Sequence, residues 1–187
     1  PDPSKEEDME DLKNVVLEKS LDLGIAFDGD ADRLGIVTKK GSIIDADIQM
    51  LVFSKEILKQ NQGGKIVFDV KCSKLLSEGI EKLGGIPLIN PTGHSLIKRR
   101  LIEEEALLGG EMSGHIFFND RWPGFDDAIY AGARMLEIVS EAENKDLLDN
   151  LPKSCSTPEI NIPVGDKEKF RIVKEFKERM DFKEAKI

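Results

Sequence analysis

Short apolar runs alternate with amphipathic segments along most of this chain, and this alternation constrains the fold more than any other feature. Residues 23–27, 34–38 and 65–70 are apolar runs of strand length. In residues 47–59 the apolar side chains instead recur every three or four positions, as on one face of a helix. Glycine-rich turns separate the two kinds of segment. Between residues 45 and 141 the pattern predicts a layered α/β/α domain, with helices on both faces of a mixed or mostly parallel sheet.

Both ends of the sequence resemble cuts inside a longer protein. The chain begins at Pro1 without a methionine, and the helical pattern over residues 169–187 stops abruptly. Residues 144–157 are polar and contain proline, which predicts a linker. A further unit begins after it. The 187 residues are therefore expected to contain one complete domain flanked by parts of two others.

Composition excludes several classes of protein. The chain has 27 Lys and Arg against 36 Asp and Glu, a net charge of −9. This balance argues against a general nucleic-acid binder or a basic protein of membrane surfaces, because both need a positive surface. No apolar run approaches the roughly 18 residues that span a bilayer. The two cysteines, Cys72 and Cys155, are too few for a disulfide scaffold, so we expect a cytoplasmic protein.

Three carboxylates alternate directly after an apolar strand, at Asp28, Asp30 and Asp32. Small residues between them allow the loop to curl until the carboxylates converge. Converging carboxylates repel each other unless a cation lies among them, and an all-oxygen set favours Mg²⁺. Arg33 beside them would either hold a phosphate or balance the carboxylates, and spacing alone leaves both open. An EF-hand is excluded, because that loop needs glycine sixth and glutamate twelfth.

Both histidines follow glycine in predicted loops next to strands. Thr92, Gly93 and His94 form one such loop. Connections at the carboxyl ends of strands are where open α/β sheets bind ligands. In the other loop Glu111, Ser113 and His115 alternate, and their acceptor, hydroxyl and imidazole groups suit the hydroxyls of a sugar.

Other residues with reactive or aromatic side chains are expected to be structural. Cys72 has no paired base in the sequence and is expected at the edge of the core. Residues 98–100 form a basic run that is typical of a solvated helix face. Trp122 and Phe125 are expected to pack rather than to bind a ligand.

Five motifs, in order, resemble those of the α-D-phosphohexomutases. Residues 28–33 look like the metal loop of that family, and residues 110–115 look like its sugar-specificity loop. Residues 67–72, 92–98 and 121–127 are most similar to the phosphomannomutase/phosphoglucomutase branch. The phosphoglucosamine mutase branch fits less well, because it has Gln where Met112 stands and lacks the Thr-Gly-His-Ser motif.

The resemblance implies a domain assignment. Residues 1–44 would be the second half of domain 2, with the metal loop. Residues 45–150 would be domain 3, with the sugar loop, and residues 151–187 would be the hinge and the start of domain 4. The serine that carries the phosphoryl group lies in domain 1 of the family, so the isolated chain is expected to be inactive. Its expected partners are the rest of the same polypeptide and hexose phosphates, with no nucleic acid and no membrane.

The resemblance also implies residue roles. Mg²⁺ on the three aspartates would assist phosphoryl transfer from a phosphoserine to a hexose 1- or 6-phosphate, through a bisphosphate. Arg33 and Lys71 would stabilise the transferring group or hold a sugar hydroxyl. Glu111 and Ser113 would bind the sugar hydroxyls, and His115 would approach the sugar phosphate, with a proton-transfer role. The loop of Thr92, Gly93 and His94 would also contact the substrate.

Two departures from the family pattern and two alternatives stay open. Pro91 stands where a basic residue is expected, and Ala31 stands where the family often has glycine. One alternative is a metal-dependent phosphatase or phosphotransferase with an aspartate nucleophile. The other is a non-catalytic module that binds sugar phosphates.

Overall fold

The fold is described from a computed structural model, which describes residues 2–144, 146–153, 160, 162–166 and 168–179. The chain divides into two compact units, Pro1–Ser154 and Cys155–Ile187. In the described part of the second unit, helix α6 spans Lys169–Arg179. Its apolar residues Phe170, Val173 and Phe176 are exposed within that unit. Met180, which the helical pattern includes, lies outside the described residues.

An antiparallel sheet of three strands opens the first unit. Strands β1 (Leu23–Phe27), β2 (Leu34–Thr38) and β3 (Ile43–Ile44) lie in the order β1-β2-β3. Helix α1 (Glu6–Glu18) packs Met9 and Val16 against this sheet. The apolar composition of residues 23–27 predicts that β1 is a buried strand, and this prediction is only partly correct. Strand β1 lies at one edge of the sheet, and Phe27, its last residue, is exposed.

A mixed sheet of four strands follows, in the order β5-β4-β6-β7. The central strand β4 runs parallel to β5 and β6, and β7 is antiparallel to β6. The strands span Lys65–Asp69 (β4), Ile86–Asn90 (β5), Leu108–Gly110 (β6) and Ile116–Phe118 (β7). The helices span Ala46–Gln60 (α2), Lys74–Lys82 (α3), His94–Glu103 (α4) and Ala128–Glu141 (α5).

Alternating side chains of the mixed sheet form two separate apolar cores. Ile66 and Phe68 of β4 face the core that also contains residues of α2, α3 and α5. Val67, between them, faces α4 and packs with Ile97 and Leu101. Successive residues of a strand point to opposite faces, so this division places helices on both sides of the sheet. The predicted α/β/α layering is thereby confirmed.

The larger core continues into the first sheet. Leu34, Ile36 and Ile44 belong to the same buried cluster as Ile48 and Phe53 of α2. The three-stranded sheet and the α/β/α layers therefore fold as one compact unit. The domain boundaries proposed from the resemblance stay a prediction.

The predicted linker packs on the first unit as far as it is described. Residues Leu148–Asn150 form a short 3-10 helix, and the Leu148 side chain is buried. Thr38 Oγ1 donates a hydrogen bond to Asp149 Oδ1 at 2.6 Å, and Lys39 pairs with Asp146. Polar side chains of this segment thus bind to strand β2 and to the turn after it. Residues 145 and 154–157 of the predicted linker lie outside the described residues.

Within the described part of the chain, helices are too short or too polar to cross a membrane.

Candidate metal and sugar site

The loop between β1 and β2 curls around the side chain of Asp28. Asp28 is buried, and its Oδ1 accepts hydrogen bonds from the backbone N–H groups of Asp32 and Arg33, each at 3.1 Å. Ala31 adopts a left-handed backbone conformation, with φ of 60°. That conformation costs an alanine about 1–2 kcal/mol, which explains why glycine suits this position better. The curl brings the alternating carboxylates to one side of the loop.

Arg33 pairs with two carboxylates in this loop region. Its Nε donates to Asp28 Oδ2 at 2.6 Å, and its Nη1 donates to Asp2 Oδ1 at 3.0 Å. Burial opposes ionisation of Asp28, but the hydrogen bonds from Arg33 outweigh it and lower the pKa of Asp28 to about 2. Of the two roles that spacing left open for Arg33, balancing the carboxylates is the one visible here.

The three aspartates form a set of oxygen donors. Asp28, Asp30 and Asp32 each offer one carboxylate oxygen, and these oxygens lie within 4.8 Å of one another. Burial raises the pKa of Asp32, the charge of His115 opposes that rise, and the neighbouring carboxylates Asp28 and Asp30 add to it. Such crowding of like charges is relieved by a cation, and an all-oxygen set fits a hard divalent ion.

The Glu111–His115 loop lies directly against the carboxylate loop. Arg33 and His115 form an isolated antiparallel bridge, and the Leu34 N–H donates to the Gly114 carbonyl oxygen at 3.1 Å. His115 Nε2 lies 3.3 Å from Asp32 Oδ2. Two loops that are about 80 residues apart in sequence therefore share one backbone contact and one ion-pair contact.

Within the second loop, His115 and Glu111 are held by neighbouring polar groups. His115 Nδ1 lies 2.8 Å from Ser113 Oγ and 3.4 Å from Glu111 Oε2. Glu111 is buried, and its Oε1 accepts a hydrogen bond from the Gly93 N–H at 2.6 Å. Glu111 thus links the loop after β5 to the loop after β6. If Glu111 also binds sugar hydroxyls, as predicted, its carboxylate would accept hydrogen bonds from both the sugar and the Gly93 N–H.

Asp69, at the end of β4, connects three loops and was not among the predicted site residues. It is fully buried. Its Oδ2 accepts from Thr92 Oγ1 at 3.0 Å, and its Oδ1 accepts from the Met112 N–H at 3.2 Å and from Cys72 Sγ at 3.2 Å. An acidic residue that closes an otherwise apolar strand is the sequence signal that points to it, and Asp28 carries the same signal.

His94 and Asp126 complete the cluster. His94 Nδ1 lies 3.6 Å from Asp126 Oδ2, and the rings of His94 and His115 are 5.9 Å apart between centroids. Asp126, just before α5, was not predicted as a site residue either. It lies within residues 121–127, one of the motifs that resemble the family, and directly before Asp127, the N-cap of α5.

Lys71 lies just beyond β4, at the carboxyl edge of the mixed sheet, and its side chain is exposed. The loops after β4, β5 and β6 all leave from this edge. It is also where the chain order reverses, since β5 and β6 flank β4 on opposite sides. Such a reversal point is the usual ligand position in open α/β sheets.

Residues predicted to be structural behave as such. Cys72 packs against the core, and burial raises the pKa of its thiol, which keeps it protonated at neutral pH. The Trp122 ring stacks on Tyr130 with 4.3 Å between centroids. Lys98 and Arg99 are exposed on α4, as expected for a solvated face, whereas Arg100 is half-buried and its Nη2 pairs with Glu104 Oε1 at 2.9 Å.

Sequence models of one protein family match almost the whole first unit. The model "Phosphoglucomutase/phosphomannomutase, alpha/beta/alpha domain III" matches residues 45–155. The model for domain II of the same family matches residues 1–41. The chain therefore belongs to the phosphoglucomutase/phosphomannomutase family, which confirms the resemblance seen in its motifs.

Individual relatives agree with the family match. A phosphomannomutase/phosphoglucomutase of Pseudomonas syringae pv. tomato is 48% identical over 189 residues, covering 100% of this chain and 41% of the relative. A phosphoglucomutase of Neisseria gonorrhoeae is 52% identical over 165 residues, covering 88% of this chain and 36% of the relative. The chain thus spans roughly two fifths of the length of these curated relatives.

Solved structures share the fold. A phosphoglucomutase/phosphomannomutase family protein of Burkholderia thailandensis has a TM-score of 0.81 and 48% identity, over 84% of this chain and 35% of that one. An N-acetylphosphoglucosamine mutase of Aspergillus fumigatus, solved with GlcNAc-6P and magnesium, has a TM-score of 0.53 and 19% identity. The match covers 68% of this chain and 35% of the Aspergillus chain, and it shows a shared fold and nothing more.

Proposed function

We propose that this chain forms the metal-binding and sugar-recognising part of a phosphohexomutase. The whole enzyme would interconvert the 1-phosphate and 6-phosphate of a hexose, glucose or mannose, through a phosphoserine and a bisphosphate. One observation carries the proposal: the carboxylate loop and the Glu111–His115 loop touch through His115 and Asp32, at 3.3 Å. A metal centre and a sugar-binding loop have to be this close when a sugar phosphate reacts.

Asp28, Asp30 and Asp32 would hold Mg²⁺ in this proposal. Their oxygens cluster within 4.8 Å, and the set contains only hard donors, which is what Mg²⁺ prefers. Magnesium also accompanies the sugar phosphate in the Aspergillus fold relative. When bound, the ion would offset negative charge on a transferring phosphoryl group.

The remaining side chains would bind and orient the substrate. Arg33 and Lys71 would stabilise the transferring phosphoryl group by their charge. Glu111 would accept hydrogen bonds from sugar hydroxyls that glucose and mannose share, and Ser113 would donate hydrogen bonds to them. The loop of Thr92, Gly93 and His94 would contact the substrate from the side opposite to these residues.

His115 would hold or move a proton at Nε2. Its Nδ1 is within hydrogen-bonding distance of Ser113 Oγ, at 2.8 Å, and this contact orients the ring. Nε2 then faces the carboxylate loop, where a sugar hydroxyl would lie between the histidine and the phosphoryl group.

The proposal includes partners and location. The other parts of the same polypeptide, domains 1 and 4 of the family, would supply the phosphoserine and the clamp for the substrate phosphate. Hexose phosphates would be the small-molecule partners. A cytoplasmic location stays a prediction from the cysteine content.

The geometry does not favour Asp28 or Asp32 as the nucleophile in the alternative with an aspartate nucleophile. A nucleophilic carboxylate needs an oxygen that is free to attack phosphorus. Both oxygens of Asp28 accept hydrogen bonds, and Asp32 lies against His115. This arrangement suits ligands of a cation better than a nucleophile.

Calorimetric titration with glucose 1-phosphate in excess Mg²⁺ tests the proposed function. We expect binding by the chain, and we expect Glu111→Gln and Ser113→Ala each to weaken it about tenfold, as loss of one charge-assisted or neutral hydrogen bond would. Glu103→Gln, on the exposed end of α4, is the matched control and should bind normally.

Two results would contradict the proposal. One is equal binding by the Glu111 variant and the control. The other is a stable acyl phosphate on the chain after incubation with the sugar phosphate, trapped with hydroxylamine, which would favour the aspartate nucleophile.

A further inference from the structure

A second group of metal-ligating side chains overlaps the carboxylate loop. Asp32, His115 and Asp126 each offer one ligand atom, and these atoms lie within 4.8 Å of one another. They come from three separate segments: the loop after β1, the loop after β6 and the segment before α5. Each side chain is half-buried. Asp126 and His115 take no part in the proposed magnesium site, so this group is distinct except for Asp32.

The ligand types in this group differ from those of the magnesium site. One imidazole nitrogen and two carboxylate oxygens suit borderline ions such as Zn²⁺, whereas Mg²⁺ prefers oxygen alone. Ligand atoms about 2.0–2.1 Å from a tetrahedral Zn²⁺ lie about 3.3–3.4 Å from one another. His115 Nε2 and Asp32 Oδ2 are 3.3 Å apart, so this pair already has the required spacing.

The other ring nitrogen of His115 lies beside hydrogen-bonding partners, as the second nitrogen of a metal-ligating histidine usually does. A metal-ligating histidine usually donates its second N–H to a carboxylate or another acceptor, which fixes the ring. His115 Nδ1 lies 2.8 Å from Ser113 Oγ and 3.4 Å from the buried carboxylate of Glu111. With a proton on Nδ1, the lone pair of Nε2 points toward Asp32, where a cation would bind it.

A fourth ligand is available beside this group. His94 Nδ1 lies 3.6 Å from Asp126 Oδ2, a spacing close to that of two ligands on one ion. The His94 side chain is 62% exposed, so it can change rotamer without disturbing the core. Two imidazoles and two carboxylates would then complete a tetrahedral set.

We propose that Asp32, His115, Asp126 and His94 form a second metal site, for Zn²⁺ or a similar borderline divalent ion. The two sites share Asp32, so they compete for its carboxylate. The ion also occupies the Nε2 position of His115. A consequence for the proposed function is that Zn²⁺ acts as an antagonist of Mg²⁺, but the metal site itself does not depend on that function.

Cobalt absorption separates this site from the carboxylate site. Co²⁺ replaces Zn²⁺ with the same ligands and gives visible absorption whose intensity marks tetrahedral coordination with imidazole. The probe is Co²⁺ alone, titrated into the full chain without added Mg²⁺. Every protein in the comparison carries Cys155→Ser, because that thiol lies outside the described residues and is itself a zinc ligand type.

Two substitutions form a matched pair, since each removes one carboxylate from only one of the two sites. We expect Asp126→Asn to weaken Co²⁺ binding at least about tenfold and to abolish the intense band. Asp30→Asn should leave the band unchanged. His94→Ala, at an exposed position, should weaken binding without any change in folding and serves in case Asp126→Asn does not fold.

The results that would overturn the proposal are equally specific. An unchanged band and affinity in both Asp126→Asn and His94→Ala would rule out the mixed site. Loss of the band in Asp30→Asn would place the ion on the carboxylate loop instead. Failure of sugar-phosphate binding alone, with the band intact, would count against the proposed function and not against this site.

Discussion

At the scale of single residues, the hydrogen bonds of Asp28 affect its ionisation more than its burial does. Asp28 is buried, which disfavours its charge, yet Arg33 and two backbone N–H groups keep it ionised. The same carboxylate thereby shapes the loop that brings Asp30 and Asp32 together. A residue predicted as a metal ligand is thus also the organiser of its own loop.

The ion pair between Arg33 and Asp28 makes the stability of the folded chain depend on pH. The pKa of Asp28 falls from 3.8 to about 2 on folding, so its contribution is complete above pH 3.8 and is lost as the pH falls toward about 2. Asp28→Asn should therefore reduce the free energy of unfolding at pH 6 by up to about 2 kcal/mol, and by almost nothing at pH 2. Urea unfolding in metal-free buffer at both pH values measures this difference.

Glu103→Gln is the control, because Glu103 is an exposed carboxylate without a role in the loop. An Asp28→Asn effect of the same size at pH 2 as at pH 6 would show that the side chain acts by packing and not by charge.

At the scale of elements, the site depends on how loops from neighbouring strands are tied together. Asp69 ends β4 and accepts hydrogen bonds from the loop after β5, through Thr92, and from the loop after β6, through Met112. Because both loops are proposed to hold the sugar, one buried carboxylate sets the spacing between them.

Replacing this carboxylate should affect sugar binding and leave metal binding intact. We expect Asp69→Asn to weaken glucose 1-phosphate binding about tenfold, because the amide group cannot accept all of the donors that meet at Asp69. Magnesium affinity should stay the same, since Asp69 does not contact the carboxylate loop in the hydrogen bonds described. Calorimetry with each ligand in turn tests both expectations.

Thr92 offers the matching pair of variants. Thr92→Ser keeps the hydroxyl and should bind like the parent chain, whereas Thr92→Val removes it and should resemble Asp69→Asn. Equal loss of Mg²⁺ and sugar-phosphate binding in Asp69→Asn would indicate general unfolding and would contradict a positioning role.

At the scale of the whole chain, the boundary between the matched family domains does not coincide with a gap in the core. The domain models meet near residues 41–45, but Leu34, Ile36 and Ile44 are buried in the same cluster as α2. The first sheet therefore stabilises the α/β/α layers that follow it.

A comparison of shortened chains tests this dependence. Residues 1–154 should melt at the same temperature as the full chain, because they form one compact unit. A chain of residues 45–154 should lose about 5 kcal/mol from three missing core side chains and melt about 20 °C lower. Circular dichroism measures both. Equal melting of the two shortened chains would mean that the first sheet adds nothing to the core.

Local patterns in the sequence were sufficient for much of the architecture and for the choice of chemistry. Strands β1 and β2 were predicted at their observed bounds, because each is an apolar run of strand length between turn residues. The alternation of strands and helices led to the α/β/α class, and the spacing of Asp28, Asp30 and Asp32 led to a cation site. These features depend on neighbours within a few positions, which a sequence displays directly.

Contacts between distant segments became apparent only from the folded chain. No sequence pattern relates Asp126 to Asp32, or Asp69 to Thr92 and Met112, because their proximity results from strand order and loop direction. The same holds for the exposed Phe27 of β1, whose burial depends on whether another element packs over that face of the sheet. Local periodicity specifies which element forms, whereas the packing of elements against each other decides which side chains meet.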